Sequence, residues 1–194
     1  MQAAETARRQ REWMWAGLAI LGIILAMAGT ELAMGRVLTC TCGTVKLWHG
    51  TVNSAENSQQ LMDWYTLSHI IHGLLFYGAT RWLFPRRGLP FRAVVATVVE
   101  AAWEIAENSP LIINRYREAT MALGYTGDSV VNSVADVLAM LVGFALAARL
   151  PVWVSVGLGV VMELVALAVI RDNLTLNVLM LLWPVDAIRT WQAG

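Results

Sequence analysis

Apolar residues run along this chain in long, nearly unbroken stretches separated by short polar joints. The stretches are Trp13 to about Gly35, Leu67–Phe84, Phe91–Asn108, Ser129–Ala148, Val152–Ile170 and a shorter one from Leu174 to about Trp183. Crossing a bilayer takes about 20 predominantly apolar residues. The first five stretches meet that length, Phe91–Asn108 only if its glutamates are buried against protein. The last stops at Pro184, so it is either a short tilted span or one prolonged through Ile188. Pro85, Gly88, Pro90 and Pro151 sit at the joints, as helix punctuation should. The pattern predicts an all-α, polytopic membrane bundle of about six transmembrane helices. It forms a single domain over residues 1–194, with one long loop over about 36–66.

The N-terminus has the layout of a signal peptide, with Arg8, Arg9 and Arg11 before an apolar run that ends at Ala26-Met27-Ala28. The run from Trp13 is long enough to span, which predicts a retained first helix.

Composition supports the membrane reading: 57% of residues are hydrophobic and 14% charged, against about a quarter charged in soluble domains. Net charge is zero and no basic patch is interleaved with aromatics, so nothing points to a nucleic-acid partner. Cys40 and Cys42 are the only cysteines, too few for a disulfide scaffold.

Positive charge sets the expected orientation. With the N-terminus inside, the cytoplasmic side carries nine cations (Arg8, Arg9, Arg11, Arg81, Arg86, Arg87, Arg92, Arg149 and Arg189). The outer side carries five (Arg36, Lys46, Arg115, Arg117 and Arg171). Six spans then place the C-terminus inside as well. In this arrangement Glu31, His69, His72, Glu107, Asn108, Asp128, Asn132, Asp172 and Asn173 all fall at outer helix ends. Glu100, Asp136 and Glu163 lie about eight residues deeper, roughly 12 Å at 1.5 Å per residue. The polar groups converge on the outer leaflet, where ionisable residues inside a span are functional candidates.

Glu100-x-x-x-Glu104-x-x-Glu107 places three carboxylates on one helical face. In low dielectric they cannot all stay ionised unless cations neutralise them; the alternative is protonated acids hydrogen-bonding to neighbouring helices. Glu100 reads as a buried neutral acid. Asp128-x-x-x-Asn132-x-x-x-Asp136 forms a second stripe. Helix capping alone accounts for Asp128, whereas Asp136, two turns inside, calls for Arg, His or a metal. His69 and His72 share one face, and with acids from two other helices they form a ligand set that bundles use for divalent metals. The metal-ligand candidates are therefore His69, His72, Glu107, Asp128 and Asp136; the alternative is interfacial histidines bonded to lipid headgroups or acids. In the outer loop, Cys40-x-Cys42 with His49 is a weak metal or redox pattern, and a disulfide in an oxidising compartment explains it equally. Trp48, Trp64 and Tyr65 suit an interfacial aromatic belt.

Several motifs together closely resemble an uncharacterised family of bacterial inner-membrane proteins, a domain of unknown function. They are Thr39–Gly50 (TCTCGTVKLWHG), Ser54–Gln59, Asp63–Gly73 (DWYTLSHIIHG), Glu100–Asn108 (EAAWEIAEN), Gly127–Asp136 (GDSVVNSVAD) and Ile170–Asn177 (IRDNLTLN). The resemblance implies a multi-pass protein of the bacterial cytoplasmic membrane and supplies no activity. A looser similarity is to VanZ-like and YjdF-like membrane proteins. It rests on Asp63 and His69, on Glu104 and Glu107, and on Gly127, Asp128 and Asp136 ahead of Leu138–Gly143. The Cys40/Cys42 loop and His72 depart from that pattern. The VanZ-like link to glycopeptide resistance implies envelope lipids or cell-wall intermediates.

Three functions follow as expectations. The first is an enzyme or lipid-handling protein whose pocket opens to the outer leaflet. There His72, Glu104, Glu107 and Asp128 act as acid, base or metal ligands, and Arg115, Arg117 or Arg171 holds an anionic headgroup. The second is a non-catalytic accessory subunit of a larger membrane complex, its buried acids and histidines serving as interhelical hydrogen-bond glue. The third, ranked last, is an ion or proton transporter, which needs acids near both faces.

Overall fold

A computed structural model describes residues 2–120 and 124–193. These residues are entirely helical apart from loops, in the order α1 Gln2–Ala33, α2 Thr66–Leu83, α3 Leu89–Glu107, α4 Pro110–Ala119, α5 Val130–Ala147, α6 Val152–Ile170, α7 Leu174–Leu182 and α8 Asp186–Ala193. Three of them, α1, α5 and α6, are long and apolar enough to cross a membrane. α2 and α3 have the length, but α2 carries two histidines and α3 its three glutamates. Large apolar side chains on α1 and α6 point away from the protein, among them Leu18, Leu25, Val152, Val160 and Leu164. A surface of that kind fits a hydrocarbon solvent rather than water.

The bundle is organised around the contact of α2 with α5. A Cβ on Gly73 would overlap the Met140 carbonyl, and one on Gly143 would overlap the Ile70 carbonyl, so the two backbones touch. Small residues at such a crossing are how membrane helices pack without a hydrophobic drive between them. One turn before Gly73 sits His69, and two turns before Gly143 sits Asp136, so the glycine contact brings these two into reach. α1 and α3 complete the layer: Met27 packs with Ala101 and Val137, while Ala93 and Ala96 pack with Met140 and Phe144.

Two departures from the sequence expectation concern the ends of the polar loops. Residues 110–119, expected as outer loop, form α4. Ser109 caps it by accepting from Ile112 N–H, Pro110 occupies the first turn, and Ile113, Tyr116 and Ala119 bury one face. The last apolar stretch, expected as a short tilted span or one prolonged through Ile188, forms a short helix that ends before Pro184. α7 has 9 residues, roughly 14 Å of helix against a hydrocarbon core of about 30 Å. After Pro184 the chain turns into α8, and the Gln192 side-chain amide donates to Arg171 O and Asp172 Oδ1, both at 3.1 Å. The segment after α6 thus returns to its starting point.

The loop between α1 and α2 folds over the start of α5 rather than projecting away. Val130 N–H donates to Val37 O and Val131 N–H to Leu38 O, while Ser129 N–H donates to Ser58 O. Gln59 and Asn132 add side-chain bonds to Gly127 O and Gln60 O. Cys40 and Cys42 are joined as a disulfide within this loop. Trp64 Nε1–H donates to Gly50 O, and its ring meets Trp48 edge-on at 5.3 Å.

Candidate functional site

The site is built from the facing ends of α2, α3 and α5 and the turn before α5. On α2, three-residue spacing turns His69 and His72 toward the same carboxylate. His69 Nδ1 lies 2.7 Å from Glu100 Oε1, and His72 Nδ1 lies 3.1 Å from Glu100 Oε2. An ionised Glu100 can only accept, in which case both imidazoles donate from Nδ1. Glu100 contacts both rings and fixes their orientation.

On the far side of His69, Nε2 faces Asp136 Oδ2 at 3.8 Å. Glu104, one turn above Glu100, reaches to 3.4 Å of His69 Nδ1. Glu104 is fully buried and neither of its oxygens has a hydrogen-bond partner. A buried, unsatisfied charged group is costly, by several kcal/mol in apolar surroundings. Beyond it, Glu107 and Asp128 complete the acidic group, with ligand atoms of Glu104, Glu107 and Asp128 all within 4.8 Å of one another.

Asp128 does not cap α5, as the sequence suggested. Ser129 takes that role by accepting from Asn132 N–H. Asp128 is held by Asn108 instead: Asn108 Nδ2–H donates to Asp128 Oδ2 at 3.0 Å, and Asp128 N–H donates to Asn108 Oδ1 at 2.7 Å. The Tyr125 hydroxyl donates to the other carboxylate oxygen at 2.9 Å. Burial pushes the Asp128 carboxyl up to about 6, only partly offset by Tyr125 and Asn108. Gly127 permits the turn: its φ of 94° lies in the left-handed region, and a Cβ there would overlap the Arg36 guanidinium.

His69, His72, Glu107, Asp128 and Asp136 line a cavity of about 260 Å³, which the buried Glu100 and Glu104 do not line. Its floor includes Asp63, His69, His72, Asp128, Asn132 and Asp136, with Glu107 at one side. Its flank is apolar, formed by Phe76, Val99, Trp103, Leu174 and Val178. Val99 of α3 and Val178 of α7, which line it, are 46% and 42% exposed. Asp63 is raised above the usual carboxylate range by burial, although Ser58 N–H and Tyr65 N–H donate to it.

With the geometry in view, comparison with known proteins is informative at one level. A family described as "Protein of unknown function (DUF2585)" matches residues 31–194. The chain belongs to this family. It is 55% identical over 187 residues to a UPF0314 protein of Sinorhizobium fredii, covering 96% of this chain and 94% of that one. It is 56% identical to one of Sphingopyxis alaskensis, covering 91% and 94%, and 52% identical to one of Rhizobium etli along the full length of both. No solved structure matches. These findings agree with the uncharacterised bacterial family expected from the motifs.

Within this DUF2585 chain, the candidate residues separate. His69, His72, Glu104, Glu107, Asp128 and Asp136 come together. Arg115, Arg117 and Arg171 stay outside and hold backbone: Arg115 donates to Leu181 O, Arg117 to Tyr125 O and Arg171 to Trp191 O. Among the described residues, no Lys or Arg lines the cavity. Glu163, expected deeper within its span, caps α7 by accepting from Leu174 N–H and Thr175 N–H at the positive end of that helix. The sequence reading missed Trp103, Tyr116 and Tyr125 as cavity residues. Tyr116 was detectable from Ser109-Pro110, a helix-start signal, followed by the three-residue spacing of Ile113, Tyr116 and Ala119.

Proposed function

We propose that this is a multi-pass protein of the bacterial cytoplasmic membrane that binds an envelope lipid, or a lipid-linked intermediate, with its headgroup in the cavity and its chain leaving along the apolar flank. The observation carrying this reading is the union of a polar, acid- and imidazole-lined floor with an apolar flank that includes the half-exposed Val99 and Val178. A water-soluble ligand has no use for the flank, and a simple hydrocarbon has none for the floor. His69, His72, Glu107, Asp128 and Asp136 serve as cation ligands. Glu104, Glu107, Asp128 and His72 are the groups available for proton transfer beside the headgroup.

In the proposed topology the N-terminus is cytoplasmic, five helices cross, and α7 and α8 form a hairpin that stays on the outer side. Moving Arg189 outward changes the cation balance from nine against five to eight against six, which still favours this orientation. The Cys40–Cys42 disulfide supports it, since such bonds persist in oxidising compartments. The cavity then faces the outer leaflet.

Mass spectrometry of protein extracted in native-membrane nanodiscs and then delipidated in detergent tests the reading. One lipid per chain is expected to survive, and Val99→Trp or Val178→Trp, which fill the flank, should release it. Complete loss of lipid from the wild-type protein, or equal retention by the filled variants, contradicts it.

A further inference from the structure

We propose that the buried acidic cluster beside the cavity holds two divalent cations bridged by Glu104. His69 and Asp136 complete one position, and Glu107 and Asp128 the other. The inference deepens the lipid-pocket reading and rests on it for the ligand that the cations would engage.

Two ligand groups share one residue. Ligand atoms of His69, Glu104 and Asp136 lie within 4.8 Å of one another, and so do those of Glu104, Glu107 and Asp128. Around a single ion with bonds of about 2.0–2.2 Å, adjacent ligand atoms sit on the order of 3–4 Å apart. The 3.8 Å between His69 Nε2 and Asp136 Oδ2 falls in that range.

The independent observation is Glu104 itself. Its side chain is fully buried and both oxygens lack hydrogen-bond partners. One oxygen approaches His69 Nδ1, but that nitrogen is already committed to Glu100 at 2.7 Å. The commitment has a consequence at the other ring nitrogen. As a neutral ring with its proton on Nδ1, His69 turns the Nε2 lone pair on the Asp136 carboxylate, acceptor against acceptor; as an imidazolium it pairs with Asp136 instead. A cation between them turns that repulsion into two bonds. Glu100 then plays the outer-shell part that carboxylates commonly play behind metal-bound imidazoles.

Charge points the same way. Asp63, Glu107, Asp128 and Asp136 line the cavity, Glu104 is buried with ligand atoms within 4.8 Å of the last three, and among the described residues no Lys or Arg lines it. Two dications offset four of these five carboxylates. Oxygen donors with a single imidazole suit magnesium or manganese, or zinc at the His69 position. A cation pair about 3.5–4 Å apart is suited to clamp the oxygens of a phosphate ester, which identifies the ligand class as a phosphate-bearing headgroup.

The test uses the full-length protein in nanodiscs, stripped with chelator and dialysed against Mn²⁺. Two Mn²⁺ per chain are expected, with the exchange-coupled paramagnetic resonance spectrum of a bridged pair. Asp136→Asn and Asp128→Asn should each leave one uncoupled ion, with Glu107→Gln as the second probe of the outer position. Glu104→Gln should abolish the coupling. No bound Mn²⁺, or one uncoupled ion, in wild-type protein that melts cooperatively overturns the proposal. Lipid retention measured on the same samples separates the two readings. Lipid without a coupled pair removes the cations alone, and a coupled pair without lipid removes the lipid assignment while upholding the pair.

Discussion

Gly73 and Gly143 meet where α2 crosses α5, each so close to the opposite backbone that a Cβ would overlap a carbonyl oxygen. This contact sets the distance between His69 and Asp136, and so the width of the site. Overpacking a tight contact typically costs about 1–3 kcal/mol. Gly143→Ala and Gly73→Ala should therefore lower the thermal midpoint in detergent and weaken ligand retention together. Gly78→Ala, where nothing lies within 4 Å of the added Cβ, should do neither. A wild-type midpoint for Gly143→Ala would show that the helices are free to separate.

The turn after α6 gives a pH prediction. Asp172 is buried, accepts from the Tyr65 hydroxyl at 3.0 Å and from Gln192 at 3.1 Å, and is raised above the ordinary carboxylate range chiefly by burial. A raised carboxyl favours the protonated form in the folded state. Its contribution to stability is full below the unfolded value near 3.8 and is lost as pH rises through the higher folded value. The thermal midpoint of Asp172→Asn should fall less than that of the wild type as pH is raised from about 4. Parallel curves would remove this assignment.

The returning C-terminal hairpin predicts a topology. In a Cys40→Ser, Cys42→Ser background, single cysteines at Ala55 and Ala193 should both react with a membrane-impermeant maleimide from the outer side of the cytoplasmic membrane. One at Ala3 should react only after permeabilisation. Protection of the Ala193 position alone would restore a full final crossing.

Much of the architecture was readable because long apolar runs have few structural outcomes. The boundaries of α2, α3, α5 and α6 follow from Pro, Gly and capping residues beside those runs. What sequence could not supply was local geometry after the runs end. Leu174–Leu182 has the composition of a span, but Pro184 and the bonds of Gln192 to Arg171 and Asp172 turn it back, and those are tertiary contacts. The convergence of His69 with Asp136 was foreseeable from their expected placement toward the same ends of their helices. The separate fates of Glu100, Glu104 and Glu163 were not, because each depends on which donor faces it. Glu100 meets two imidazoles, Glu163 meets a helix N-terminus, and Glu104 approaches His69 at 3.4 Å without a hydrogen bond. Asp128 looked like a cap because Gly127 and Ser129 flank it, but the cap belongs to Ser129.

The central claim is that the buried acids form a ligand site and are not glue between helices. It is tested most directly by comparing the thermal midpoints of wild-type protein and Glu104→Gln in chelator. A partnerless buried carboxylate destabilises its own fold, so the variant should melt at the wild-type temperature or above. In a protein of this size each kcal/mol is worth about 2–4 °C. A midpoint several degrees below the wild type would mean that Glu104 holds the helices together, and would contradict the account.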